Sequence, residues 1–308
     1  MSAVTLAVPG LIAPPAPLAS LRAHLGALPG LARFARAIRS EPQWSLTFTR
    51  AGALTALAAG DEPGTRAWLR IDPVHFAPGS EGLHLLPAEI DEDDAAALAV
   101  FAGRALGIDL RRASASAWYA PVDPAIPSLA PPAGAYGVPV ADFMPDDRAQ
   151  RAWLNEAQMV LHEHPVNRRR ADHNEPAVNG LWPWGAGVLG DAPALPFARV
   201  YTDEPALAGA ALACGAVPAS APTAFDSVAI DGDALVQAGA LIGTVRSVEA
   251  WLAAVDAFER DWLAPALAAL DRGALASLSL YTGASLYTLT RRARWRFWQR
   301  GDFLATAR

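Results

Sequence analysis

The chain has 308 residues, 52% hydrophobic and 18% charged, enough for one large core or two ordinary domains and too apolar for a disordered chain. Its formal net charge of −6 gives no whole-surface footprint for nucleic acid. All 25 basic residues are arginine, which excludes Schiff-base, pyridoxal-phosphate, P-loop NTPase and protein-kinase chemistry, each of which needs a lysine.

Taken in chain order, "VTLAVP" at 4–9 reads as a short buried strand followed by a Pro/Gly loop. No basic run precedes it, so it makes a poor signal peptide. Residues 17–39 carry Leu18, Leu21, Leu25, Leu28, Leu31, Phe34 and Ile38 at helical spacing, split by Pro29–Gly30 into two short helices. "AWLRIDPVHF" at 67–76 and "GLHLL" at 82–86 form a strand pair. "DEDDAAALAVFAGRAL" at 91–106 is a helix whose acidic first turn suits its dipole. One or two strands follow in "GIDLRRASASAWYAP", then a proline-rich connector up to Asp146–Asp147, where the next helix starts.

That helix presents Trp153, Leu154, Ala157, Val160 and Leu161 on one face. Beyond the densest motif, treated below, come a strand at "FARVYT", a small-residue helix at 205–214 and a helix capped by Ser247. The end, "LASLSLYTGASLYTLTRRARWRFWQR", alternates like two strands with a basic aromatic tail. In that tail Trp295, Phe297 and Gln299 share one face, as in a half-buried edge strand; single-stranded nucleic acid is the weaker reading. Strands interspersed with helices predict an α/β class, a layered mixed sheet with flanking helices. The single Cys214 lies in an apolar small-residue run and reads as a buried inert thiol in a reducing compartment. No stretch suits a membrane span, and the expected location is the cytoplasm.

The densest chemistry is "LHEHPVNRRRADHNEPAVNGLWPWGAG" at 161–187. A metal site would draw on His162, His164, Asp172 and His173, but Pro165 breaks the helix there and no histidine follows His173. An anion site fits better, since a helix start beside guanidinium forks binds phosphate or carboxylate oxygens. Arg168 and Arg169 could instead face solvent with Asn167 capping the next helix, leaving Arg170 to point inward. Asn179, Trp182 and Trp184 either approach a ligand or line a core turn.

These residues resemble a known family. "HPVNRRR" and "EPAVNGLWPWGAG" are similar to a motif of archaeal-type cofactor-independent phosphoglycerate mutases, in the alkaline-phosphatase superfamily, and more closely to RpfE-type regulatory proteins. "WLNEAQ" at 153–158 and "RIDPVH" at 70–75 extend the resemblance, which is strong at 150–187 and loose over 65–300. It implies a reduced phosphatase-like α/β core at 1–64 and 188–308, and a substrate-domain-like α+β portion at 65–187. The mutases place an Asp after the first strand, a nucleophilic Ser soon after, and Asp and His metal ligands in the C-terminal half. Here the first strand runs into "AVPGLIAPP", and 188–308 holds no histidine.

The resemblance therefore implies a mutase-like regulatory protein with a degraded metal centre, binding a small phosphorylated or carboxylated ligand or a protein partner, without metal or cofactor. The expected ligand-binding residues are His164, Asn167, Arg170, Asn179, Trp182 and Trp184, with Arg70, Asp72 and His75 on an opposite wall. The alternatives are an active mutase or other phosphoryl-transfer enzyme, and a pure interaction module.

Overall fold

A computed structural model describes residues 2–8, 11, 21, 24–25, 27–34, 36–44, 46, 48–79, 81–191, 194–238, 247–283 and 285–295. In chain order the first elements are β1 (Ser2–Ala7), α1 (Pro29–Phe34), β2 (Ile38–Ser40), α2 (Ala51–Ala58), β3 (Trp68–Gly79) and β4 (Gly82–Pro87). Next come α3 (Glu92–Leu106), β5 (Arg111–Ser114), β6 (Ala117–Pro121), α4 (Arg148–His162), α5 (Pro165–Asp172) and β7 (Gly180–Gly187). The last are β8 (Arg199–Tyr201), α6 (Pro205–Ala213), β9 (Val217–Ala219), β10 (Ala234–Gln237), α7 (Val248–Phe258), α8 (Ala264–Arg272), β11 (Leu275–Tyr281) and β12 (Leu286–Thr290). The protein is α/β, with two compact units, the first built on a mixed sheet and the second on an antiparallel one.

The first unit comprises 1–46, 193–203 and 214–308, and the second 47–192 and 204–213. Residues 47–64, α2 among them, thus group with the second unit. The reason is close packing. A Cβ on Gly52 would come within 2.5 Å of the Trp68 and Leu69 main chain, and one on Gly209 within 1.9 Å of the Leu54 carbonyl oxygen. Those two glycines seat α2 against β3 and α6 against α2, so residues 204–213 join the second unit too.

The first unit is built on a seven-stranded sheet of order β2-β12-β11-β1-β10-β8-β9. β11, β1, β10, β8 and β9 run parallel, while at one edge β12 is antiparallel to β11 and β2 antiparallel to β12. Val4, Leu6, Leu278, Leu280 and Val236 pack with Trp251, Val255, Phe258, Trp262 and Leu270 in one core. Between α7 and α8 the helix widens into a single π turn, Glu259–Leu263. Buried Glu259 reaches across to accept hydrogen bonds from the Gly30 and Leu31 N–H groups at 2.5 and 3.1 Å, satisfying the open donors of α1.

Residues 24–25 and 27 are helical and Pro29 opens a second helix, α1, so the break falls where the sequence places it, as the missing N–H of proline permits. Ile38 departs from the helical expectation and lies in edge strand β2. Arg291–Trp295 forms a 3-10 turn, not the start of an edge strand, and the tail from 296 lies outside the described residues, as does Leu18. Cys214 is half-buried, more accessible than its apolar neighbours suggested. Among the described residues no helix is long and apolar enough to cross a membrane.

In the second unit β3 is the spine of a five-stranded sheet. Along one edge it pairs first with β6 and then with β4, with β5 outside β6; along the other it pairs with β7. Alternation along β3 separates two faces. Leu69 and Ile71 join Leu98, Ala102, Trp153, Leu154 and Leu161 under α3 and α4. Trp68 packs with Ala53 and Ala56 of α2, and Val74 and Phe76 pack with Trp182 under the 129–144 connector. The helices on the first face are well punctuated. Asp91 caps α3 and Asp147 caps α4 through side-chain oxygens, and Gly107 ends α3 in a left-handed conformation, φ 67°.

Candidate functional site

Pro165 occupies the first position of α5, so the cap is His164, not Asn167: Nδ1 of His164 accepts from the Val166 N–H at 3.2 Å. Burial holds the His164 imidazole below its ordinary range, the Arg169 charge adding to that against Asp94, and an acceptor Nδ1 agrees with a neutral ring. Its ring packs on Phe101 at 4.8 Å between centroids.

Asn167 points into the unit. Its amide donates to the Leu161 and Val178 carbonyls at 2.8 and 2.9 Å and accepts from the Val178 N–H at 2.8 Å. Arg170 is turned inward as well, donating to the Pro176 and Glu89 carbonyls at 2.9 and 2.7 Å and lying 3.2 Å from Glu175. Arg169 pairs with Asp94, and Arg168 is exposed. These bonds bind the loop ahead of β7 to α5. The loop itself turns at Asn174, φ 57°, the one described non-glycine residue with positive φ and a tolerable one for asparagine.

"NGLWPWGAG" is a strand, not a turn. Asn179 pairs its amide with the main chain of Phe76, accepting from N–H at 2.7 Å and donating to O at 3.0 Å. A Cβ at Gly180 would meet the Phe76 ring at 2.1 Å, which explains why glycine follows. Trp182 is fully buried between Phe76 and Phe143 and donates to the Ala130 carbonyl at 2.9 Å. His75 is half-buried, 2.8 Å from the Ala177 carbonyl through Nδ1.

The nine residues proposed from sequence do not line one pocket. His164, Asn167 and Arg170 belong to the helical face of the sheet, whereas Arg70, Asp72, Trp182 and Trp184 share the opposite face. Cross-strand register explains the second group: β3 and β7 run antiparallel with Arg70 opposite Trp184 and Asp72 opposite Trp182.

Around Arg70 these residues form a charged cluster. Its Nε donates to Asp72 at 2.5 Å, and Nη1 donates to Glu204 at 2.6 Å and to the Thr55 hydroxyl at 3.2 Å. Trp184 donates from its indole to the other Asp72 oxygen at 2.9 Å, and its ring lies 5.5 Å from the guanidinium carbon. Burial opposes the Arg70 charge, yet Asp72 and Glu204 together overcome it and raise the guanidinium pKa. Asp72 moves the other way from an ordinary ion-paired acid. Burial outweighs the attraction of Arg70, Glu204 adds repulsion, and its pKa is pushed up to about 6. Burial, followed by the negative charge of Asp72, also raises the Tyr136 phenol.

Thr55, Tyr136 and Glu204 were not found from sequence. Thr55 is the lone polar residue of the apolar helix "AGALTALA", a signal that was present. Glu204 stands 134 positions from Arg70 and looks like an ordinary acid before a helix. The cluster is graded in exposure: the side chains of Arg70 and Asp72 are 4% and 9% exposed, that of Glu204 39%.

In the first unit, the carboxyl ends of the parallel strands are where open α/β sheets build their sites. Here they carry Ala7, Thr202, Gln237, Tyr281 and Thr282, with Thr202 Oγ1 bonded to Gln237 Oε1 at 2.5 Å. Asp203 accepts from the Ala221 N–H at 3.1 Å. The unit's one histidine, His24, pairs with Asp256 at 2.7 Å. Among the described residues this donor set is rich in hydroxyls and poor in carboxylate and imidazole, a poor match for a two-metal phosphoryl-transfer centre. Among the described residues, no group of three His, Cys, Asp or Glu stands close enough to hold a metal ion.

No family model matches the chain. Over 75 residues it is 36% identical to the 2,3-bisphosphoglycerate-independent phosphoglycerate mutase of Methanothrix thermoacetophila, 23% of this chain and 18% of that protein. The matched part is thus under a fifth of the relative's length. Among solved structures it is similar to the cofactor-independent phosphoglycerate mutase of Thermoplasma acidophilum, with 16% identity and a TM-score of 0.42 over 94% of this chain and 89% of that one. A protein of Pyrococcus horikoshii aligns with 14% identity and a TM-score of 0.49, over 94% and 87% of the two chains.

Proposed function

We propose that the protein is a phosphoglycerate-mutase-like regulatory protein that binds a small phosphorylated or carboxylated molecule at Arg70 and does not turn it over by metal catalysis. The observation that carries this reading is the graded exposure of the Arg70 cluster. With Asp72 and Glu204 both ionised around one guanidinium, the cluster holds an excess negative charge. The half-open Glu204 carboxylate can be released to water far more cheaply than the buried Asp72. An incoming carboxylate or phosphate oxygen then takes the place of Glu204 on Nη1 of Arg70, with Trp184 against the guanidinium plane and Thr55 as neighbour. The hydroxyl-lined carboxyl edge of the other sheet supports the non-catalytic half of the reading. The local identity to a mutase supports the choice of ligand class.

The test is phosphorus NMR of 3-phosphoglycerate with the protein, without and with catalytic manganese, repeated on Arg70→Ala. Protein-dependent broadening that Arg70→Ala removes, with no new resonance, is the expected result. A growing 2-phosphoglycerate signal would show an active mutase instead. A spectrum unchanged by the wild-type protein would overturn ligand binding and favour a protein partner, a second reading that the exposed Val100 and Phe101 of α3 and Met159 of neighbouring α4 favour.

A further inference from the structure

The first unit contains a cavity of about 440 Å³ lined by Arg33, Arg36, Asp271, Leu289 and Ala293, within the size range of small-molecule sites. Arg33, in the last turn of α1, forks onto Asp271 of α8, Nη1 and Nη2 donating to its two oxygens at 2.8 and 2.9 Å. That pairing cancels one charge and fixes the Arg33 side chain. Arg36 lies two residues beyond α1, is half-buried, and makes no ion pair among the described residues. The described lining residues therefore carry one positive charge in excess. Leu289 of β12 and Ala293 supply an apolar wall. Asp271 precedes β11 and Ala293 follows β12, which places the cavity at the amino end of the parallel strands.

We propose that this cavity is a separate binding site for a small organic monoanion. Its carboxylate or monoester oxygen would sit on the Arg36 fork and its apolar body on Leu289 and Ala293. A guanidinium matches such oxygens with two N–H donors. Asp271 selects against higher charge, since a dianion would bring a second negative group toward a carboxylate already committed to Arg33. Nothing in this site depends on Arg70.

Benzoate and benzyl alcohol, the same ring with and without charge, are the probes. Each is titrated calorimetrically into the wild-type chain, Arg36→Ala and Arg70→Ala. Benzoate is expected to bind the wild type and Arg70→Ala at about millimolar affinity or better. Arg36→Ala should weaken it about tenfold or more, the loss of a charged hydrogen-bond pair. Benzyl alcohol should bind the wild type weakly by a similar factor. The Arg36 side chain holds no other described group, so thermal melting of Arg36→Ala should match the wild type. Equal benzoate affinity in Arg36→Ala, equal affinity for benzyl alcohol, or no benzoate binding up to about 10 mM would each overturn the proposal. Loss of benzoate in Arg70→Ala alone, with circular dichroism and melting showing that variant folded, would assign it to the other site and overturn this one.

Discussion

The side-chain amide of Asn167 and the peptide of Val178 exchange two hydrogen bonds, 2.8 and 2.9 Å long, as neighbouring strands do. A third bond from the same amide reaches the Leu161 carbonyl. One buried side chain thus closes the end of α4 and the entry to β7. Asn167→Ala strands a buried N–H and two carbonyls at once, and should cost about 2–3 kcal/mol. Urea unfolding checks this, the midpoint falling with an unchanged slope.

Asp72 sets a pH dependence of definite sign. Its pKa rises from 3.8 unfolded to about 6 folded, so the native state holds this proton more tightly. The stability contributed by the site is complete below pH 3.8 and is lost as pH climbs toward 6. The stability of the wild type minus that of Asp72→Asn should therefore fall across this window and level off above it. A difference that rises with pH would mean that the Arg70 pair, not burial, governs Asp72.

His164 gives the opposite slope. Its folded pKa lies below 6.5, so the protonated ring is disfavoured, and stability drops as pH falls from 6.5 through the folded value. Nitrogen-detected NMR should find Nδ1 unprotonated at neutral pH. His164→Ala, which removes the cap, should cost about 1 kcal/mol, with much of it restored by His164→Ser.

Gly52→Ala and Gly209→Ala should each destabilise the second unit by about 1–3 kcal/mol or more, because the clashing atoms belong to main chain that has little room to yield. Alanine at exposed Gly134, where a Cβ meets nothing within 4 Å, is the control. Thermal melts of the three variants provide the comparison.

Local chemistry made much of this legible. Asp91, Asp147 and Ser247 announced helices that begin beside them, and the alternating β3–β4 pair was readable from its pattern. What escaped detection was decided by distant partners. Pro29 marked the break between two helices, but Glu259, the residue that completes the α1 start, lies far along the chain and went unnoticed. Ile38 kept helical spacing but found β12 as a neighbour. In the candidate site, Trp184 was named, but on a wall opposite Arg70 and Asp72, and Glu204 was not named at all, since nothing local ties it to β3. Asn167, Arg170 and Asn179 have the donors that suit an anionic ligand, and the same donors suit peptide carbonyls; sequence alone does not separate the two uses.

The placement of β1 governs how the chain can be assembled. Val4 has Ala234 on one side and Leu278 on the other, so β1 waits for strands that lie far later in the sequence. Residues 47–192 meanwhile hold all the strands of their own sheet and need only α6 to complete their packing. Folding should therefore proceed from the middle outward, with the apolar segment Val4–Ala7 left without its sheet partners until β10 and β11 are in place.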